Sequence, residues 1–157
     1  MTLPPRRPRL AIFGAGPAGS AFARQFALLP FEMEAYDTRP HNADHATILT
    51  EDELVEVAGC LETGDYVLIA SATHELDSRI AKAVLTAGRF RYCGMIGSRK
   101  KRDEILAALS QAGVSPEQVS RLQCPIGIRE LHGRAPEVIA VSVAAQVLQI
   151  LQDDSPQ

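Results

Sequence analysis

An α/β fold, with one open and mostly parallel sheet and helices on both of its faces, is predicted by three observations. Short apolar runs alternate with helix-periodic segments along most of the chain. A glycine-rich turn joins the first apolar run to the first helical segment. No internal repeat or low-complexity block breaks the alternation. With 157 residues the chain matches one average domain, large enough to bury roughly 68–70% of its unfolded surface without disulfides or a structural metal.

Residues 1–8 (MTLPPRRP) read as a loose lead-in, residues 9–152 as the domain and residues 153–157 as a polar tail. Arg9 to Phe13 is a short apolar run ending at glycine, as a buried strand does. The turn Gly14-Ala15-Gly16-Pro17-Ala18-Gly19 follows, then a helix from Ser20 to Leu29 that Pro30 ends. Phe31 to Tyr36 forms the second strand and closes at Asp37, completing a βαβ unit. Residues 38–50 are polar and predict a loop, with a short helix from Glu51 to Ala58. Asp65 to Ser71 is a third strand too apolar for an exposed edge.

A helix from about Glu75 to Ala87 stops at Gly88, and Phe90 to Ile96 is the fourth strand. Ser98 caps a helix from Arg99 to about Gln111. Pro116 opens a short helical stretch with Glu117 favourable to its dipole, and Gln123 to Ile128 is a short strand or extended connection. The final helix begins near Pro136. Its stripe of Ile139, Ala140, Val143, Ala144, Val147, Leu148 and Leu151 can cover a sheet. Together these elements predict a single Rossmann-like domain.

Composition excludes several function classes. With 16 Lys+Arg against 19 Asp+Glu the net charge is −3, which offers no global attraction to nucleic acid or an anionic membrane. Aromatic residues make up 5% and Trp is absent, too few for a base-stacking platform. No run of 18 or more apolar residues could span a bilayer. Arg6, Arg7 and the apolar run after them mimic a signal peptide, but Gly14, Gly16, Pro17 and Gly19 break the helix it would need, so a cytoplasmic protein is expected. The three cysteines, Cys60, Cys93 and Cys124, fit a reducing compartment and read as buried or half-buried apolar residues.

Three stretches can carry chemistry. The glycine motif lies between a strand and a helix, with Asp37 ending the next strand 18 residues past the third glycine. Gly14 then serves the tight turn, Gly16 the close approach of a pyrophosphate, and Gly19 helix–strand packing, with Ala15, Pro17 and Ala18 between them. The helix start offers N–H groups to phosphates, less the one removed at Pro17. Asp37 could accept from a ribose hydroxyl and Arg39 could meet a 2′-phosphate, so both NAD and NADP stay open, as does a scaffold with a vestigial site.

The second stretch is Gly97-Ser98 followed by Arg99, Lys100, Lys101 and Arg102. Cations at a helix start oppose its dipole by up to about 1 kcal/mol each, so the arrangement invites an anion. Successive helical residues point about 100° apart, and Arg99 and Lys100 are assigned to the ligand. A solvated basic helix face is the alternative. Third, Thr73 can cap the next helix and put His74 in the crevice beside the glycine turn. His41, His45 and His132 gain no partner. No nucleophile elbow, Walker A motif or zinc signature occurs, so no catalytic machinery and no metal site is assigned.

The run YCGMIGSRKKRDEIL, with CPIGI at Cys124 to Ile128 and PEVIAVSVAAQVLQ at Pro136 to Gln149, resembles the XdhC/CoxI family of accessory proteins. GAGPAG, Asp37-Thr38-Arg39 and Thr73-His74 with Asp77 stand where that family carries similar motifs, and the resemblance covers residues from about 10 to 150. It implies a chaperone that binds the molybdenum cofactor (molybdopterin) as cargo, helps a cysteine desulfurase to sulfurate it, and delivers it to an apo molybdenum hydroxylase of the xanthine dehydrogenase type. It implies cofactor contacts at Gly14, Gly16, Gly19, Gly97, Ser98 and Arg99, with Thr73 and His74 in the same crevice. Members usually carry histidine and valine inside the turn, where this chain has Pro17 and Ala18, and commonly an amino-terminal domain, whereas here the turn starts at residue 14.

A non-catalytic cofactor-binding protein is therefore the leading expectation. A small NAD(P)-dependent oxidoreductase, with His74 its sole acid–base candidate, and a ligand-free interaction module are the alternatives. A homodimer is expected on general grounds.

Overall fold

The computed structural model describes residues 6–154. Strand β1 (Arg9–Phe13) leads through helix α1 (Pro17–Phe26) to β2 (Glu32–Asp37), a 3₁₀ turn (Pro40–Asn42) and β3 (Thr47–Ile48). Helix α2 (Glu51–Gly59), β4 (Tyr66–Ile69), α3 (His74–Ala87), β5 (Tyr92–Met95) and α4 (Arg99–Gln111) follow. The short helix α5 (Pro116–Val119), β6 (Leu122–Gln123) and the long helix α6 (Pro136–Asp154) complete the chain.

All six strands are parallel, in the order β3-β2-β1-β4-β5-β6. Ile12 lies between Ala35 of β2 and Leu68 of β4. The chain steps outward from β1 to β3, then crosses back to the far side of β1. That reversal opens a crevice at the carboxyl ends of β1 and β4, where doubly wound sheets place ligands.

Period-two alternation splits the core into two layers. Ala11, Phe13, Val67, Ile69, Cys93 and Met95 point to the face covered by α2, α3 and α4. Leu10, Ile12, Tyr66, Leu68 and Tyr92 point to the opposite face, against α1 and α6. Phe22 and Phe26 of α1 are completely buried there, each side chain contributing about 1.5–3 kcal/mol of burial. Ala140, Val143, Ala144 and Val147 of α6 fill the same layer, as the predicted stripe requires.

Helix starts follow their capping residues. Thr50, Thr73, Ser98 and Ser115 each accept a hydrogen bond from the third backbone N–H of the helix they open, a contact worth about 1 kcal/mol apiece. Ser115 and Gln118 form a reciprocal capping box.

Three expectations need correction. Residues 38–50 are not all loop: Thr47–Ile48 pairs with Tyr36 and Asp37 as the edge strand β3, which at two residues is too short to show a pattern. Cys60 is exposed, because it caps the carboxyl end of α2 outside the core, whereas Cys93 and Cys124 are buried. Asp153 and Asp154 belong to α6 rather than to a tail, and Arg91 holds the last turn through Asp154 at 2.6 Å. The remaining tail, 155–157, and residues 1–5 of the lead-in lie outside the described residues, while Arg6 to Pro8 have no regular structure. Among the described residues no helix is long and apolar enough to cross a membrane.

Candidate functional site

The glycine turn leaves β1 at the carboxyl edge of the sheet. Gly14 has φ +120°, and a Cβ there would lie 1.9 Å from the Ala70 carbonyl oxygen, so the turn presses directly on β4. A Cβ at Gly19 would lie 1.9 Å from the Gly14 carbonyl oxygen, which makes Gly19 the packing glycine of α1. At Gly16 an added Cβ would meet only the Arg39 guanidinium, at 3.3 Å. Pro17 occupies the first turn of α1 and Gly16 supplies no side-chain cap, leaving first-turn N–H groups beside that guanidinium. Ala15 and Ala18 complete the turn.

Asp37 is 3% exposed and heavily engaged. Its carboxylate accepts from Ala15 N at 2.7 Å, from Arg39 N, Nε and Nη2 at 2.7, 2.9 and 2.7 Å, and from Asn42 Nδ2 at 3.2 Å. Burial alone would raise its pKa. The Arg39 guanidinium and the Arg39 and Ala15 backbone donors outweigh burial and hold the carboxyl well below the usual carboxylate range. A carboxylate offers about four lone-pair sites, so a ribose hydroxyl could bind Asp37 only by displacing one of these donors. The adjoining cleft, lined by Gly14, Asp37, Thr38, Leu54, Ser71 and Leu76 among others, is too narrow to admit a water-sized sphere.

Thr73 caps α3 through Leu76 N at 3.1 Å, as expected. His74 is exposed on the first turn of α3 and does not line the cleft. Besides Asp37, the buried charged groups at this edge are Asp77 and Lys101, whose pairing no local sequence signal reveals. Asp77 accepts from Ser71 N at 2.8 Å, Ser71 Oγ at 2.5 Å and Lys101 Nζ at 2.5 Å. Lys101 Nζ also donates to Ile96 O at 2.8 Å. This ion pair ties the ends of β4 and β5 to the starts of α3 and α4. Gly97 makes room for it, since a Cβ there would lie 2.5 Å from the Lys101 side chain.

Turning Lys101 inward decides where the other cations go. Arg99 and Arg102, three residues apart, share a face and line one cavity. Lys100 points elsewhere and is absent from that lining, so the pair brought together is Arg99 with Arg102 rather than Arg99 with Lys100. Ser98 is spent on capping, through Lys101 N at 3.2 Å.

The cavity, about 920 Å³, lies between the start of α4 and the segment 124–132 that follows β6. Gln146 of α6 braces that segment from below, accepting from Gly127 N at 3.1 Å and Tyr92 Oη at 2.5 Å. Ser142 Oγ accepts from Ile128 N at 2.8 Å. Gly127 has φ +97°, and a Cβ there would lie 2.3 Å from Ser142 Oγ, so only glycine fits. Ile126, Ile128 and Leu131 give the cavity an apolar wall, with Arg129 and His132 on its rim. Cys124 also lines it, its thiol pushed up by burial. Of the histidines that the sequence leaves without a partner, His132 belongs to this cavity.

Known proteins share this architecture. The family model for the XdhC Rossmann domain matches residues 10–147. The chain is 29% identical over 150 residues to "Uncharacterized protein YqeB" of Escherichia coli strain K12, covering 92% of this chain and 27% of that one. It is 26% identical over 150 residues to a probable xanthine dehydrogenase subunit of Bacillus subtilis strain 168, covering 91% of this chain and 43% of that one. A crystal structure of a xanthine dehydrogenase from Bacillus halodurans aligns with TM-score 0.78 and 25% identity, over 95% of this chain and 44% of the other. The chain thus spans less than half the length of each of these relatives.

Proposed function

Starting from the fact that the chain belongs to the XdhC Rossmann-domain family, we propose that it binds the molybdenum cofactor as cargo. In this reading the protein serves maturation of a xanthine-dehydrogenase-type molybdenum hydroxylase, with a cysteine desulfurase as a further partner. Relatives named for xanthine dehydrogenase support the choice of client.

One observation carries the proposal: anion-binding features at the ends of three strands, β2, β1 and β5, lie along the carboxyl edge of the sheet. They are the uncapped start of α1 with Arg39 above Gly16, and the start of α4 with Arg99. The fit to a phosphate-bearing cargo rests on Gly16, where an added Cβ would meet no backbone but only the Arg39 guanidinium, at 3.3 Å. When bound, the cargo supplies the redox-active metal of the enzyme that receives it. The residues of this chain bind and orient: the α1 N–H groups and Arg39 neutralise phosphate, while Gly97 and Ser98 keep the α4 start close to the sheet.

The alternative of an NAD(P)-dependent oxidoreductase has weaker support. Asp37 is filled by five donors, and His74 stands outside the cleft. A cytoplasmic location and a homodimer belong to the same proposal. Free thiols at all three cysteines favour the reducing compartment, and the homodimer follows from the prevalence of closed homo-oligomers.

The deciding experiment is expression in cells replete with molybdenum cofactor, gentle purification and oxidation to release fluorescent pterin. Near-stoichiometric pterin that falls at least tenfold in Arg99→Glu is expected. Absence of pterin together with saturable NADPH binding would overturn the proposal.

A further inference from the structure

We infer that the cavity between the first turn of α4 and segment 124–132 is a separate binding site for the phosphate end, a monoester or diphosphate, of an organic ligand. The inference deepens the cargo reading above and rests on it for the identity of the ligand. It does not rest on it for the chemistry of the site.

Charge is the first argument. Arg99 and Arg102 project from the end of α4 that already carries the positive pole of the helix, where cations are disfavoured unless an anion joins them. Among the described residues Arg99, Arg129 and His132 have no hydrogen-bond or ion-pair partner, and Arg102 reaches only its neighbour Asp103 at 3.8 Å. Against these groups the cavity holds one carboxylate, Glu130. Guanidinium forks three residues apart on one helix face match the oxygens of a phosphate or diphosphate.

Construction is the second argument. The buried Asp77–Lys101 pair removes the third cation of the run from the cavity and fixes the rotation of α4 that faces Arg99 and Arg102 the same way. Gln146 and Ser142 hold the opposite wall in place, through a glycine whose backbone conformation no other residue adopts easily. A surface basic patch requires none of this. The ligand is organic because about 920 Å³ with a wall of Ile126, Ile128 and Leu131 far exceeds what an inorganic ion fills. The cleft beside the glycine turn is narrow by contrast. Three strand spacings, roughly 14 Å, separate β1 from β6, so the two places are distinct stations along one edge.

The test is titration of the full chain with inorganic pyrophosphate at constant ionic strength, followed by calorimetry. Wild-type protein is expected to bind at one saturable site. Arg102→Glu is expected to weaken that binding at least tenfold, and Lys82→Glu, the same charge change on α3, to leave it unchanged. A thermal melt confirms that Arg102→Glu folds, as its exposed position predicts. Absence of saturable binding, or equal affinity in Arg102→Glu and wild type, would overturn the inference. So would loss in Arg39→Met with retention in Arg102→Glu, which puts pyrophosphate at the glycine turn. Pterin content measured on the same variants separates this inference from the cargo reading. Pterin retained in Arg102→Glu overturns the site while the cargo reading stands. Pyrophosphate binding lost in Arg102→Glu, with no pterin in wild type, upholds the site while the cargo reading falls.

Discussion

The two ends of the carboxyl edge are built on opposite plans. At β1 the glycine turn is closed upon itself: Gly14 presses on Ala70, and Asp37 is filled by Ala15, Arg39 and Asn42. At β6 the edge is open, with Arg99, Arg129 and His132, which have no partner among the described residues, around a cavity of about 920 Å³. The end with the stronger motif has the less free bonding capacity. A motif records the backbone geometry a site needs, whereas binding requires donors and acceptors that the fold has not already consumed.

The sharpest break in the comparison is within the glycine turn itself. Gly14→Ala forces a Cβ to 1.9 Å from a backbone oxygen at φ +120°, and the expected loss is about 3 kcal/mol or more. Gly16→Ala meets no backbone, only the Arg39 guanidinium at 3.3 Å, and is expected to cost under about 1 kcal/mol. Urea midpoints measure both. Equal losses would mean that Gly16, too, is structural, and the turn would offer no room to an anion.

Comparable in size is the effect of the ion pair that divides the two regions. Asp77→Ala strands the Lys101 ammonium, 7% exposed, and is expected to cost about 3–5 kcal/mol. Lys101→Met combined with Asp77→Ala is expected to recover much of that loss, because no buried charge is then left unpaired. If the double variant is as unstable as Asp77→Ala alone, the hydrogen bonds from Ser71 rather than the charge pairing dominate.

A smaller effect tests closure of the glycine turn. Asp37 has its pKa depressed in the folded chain, so it contributes stability that is fully present above its unfolded value of about 3.9. That contribution is lost as pH falls below this value toward the folded one. Thermal melts between pH 5 and 2.5 should therefore drop steeply in wild-type protein and less steeply in Arg39→Met, which removes the main depressing contact. Identical slopes would remove Arg39 as the group that holds Asp37 ionised.

How much of the molecule is readable in the sequence differs between the same two regions. Strand, turn and helix around Gly14 to Gly19 are contiguous, and the caps Thr73 and Ser98 act within three residues, so local rules find them. The Asp77–Lys101 pair joins residues 24 apart on different helices, and nothing local marks it. Without that pair the rotation of α4 cannot be assigned, which is why the sequence alone points to Lys100 rather than Arg102. Segment 124–132 has no periodicity, since its shape comes from Gln146 and Ser142 on a later helix. Asp37 and Arg39 are both in plain view as nearby residues. Each is matched to an external ligand because a motif names partners outside the chain, while the competing partner inside it lies only two residues away.

The mildest probe uses the cysteines, which sample the outside, the cavity wall and the core. Cys60 is exposed, Cys124 lines the cavity, and Cys93 is fully buried with its thiol pushed up to about 12 by burial. At pH 8 a thiol of that kind is ionised to roughly one part in ten thousand, and access is blocked besides. A chromogenic disulfide reagent should label Cys60 rapidly, Cys124 slowly, and Cys93 only after unfolding. Pyrophosphate seated between Arg99 and Arg102 would crowd the wall that carries Cys124 and slow its reaction, while leaving Cys60 unaffected. Equal slowing at both cysteines would mean that the anion acts on the whole fold rather than in the cavity. No slowing at either would leave Cys124 untouched by the ligand and confine the anion to the outer rim formed by Arg99 and Arg129.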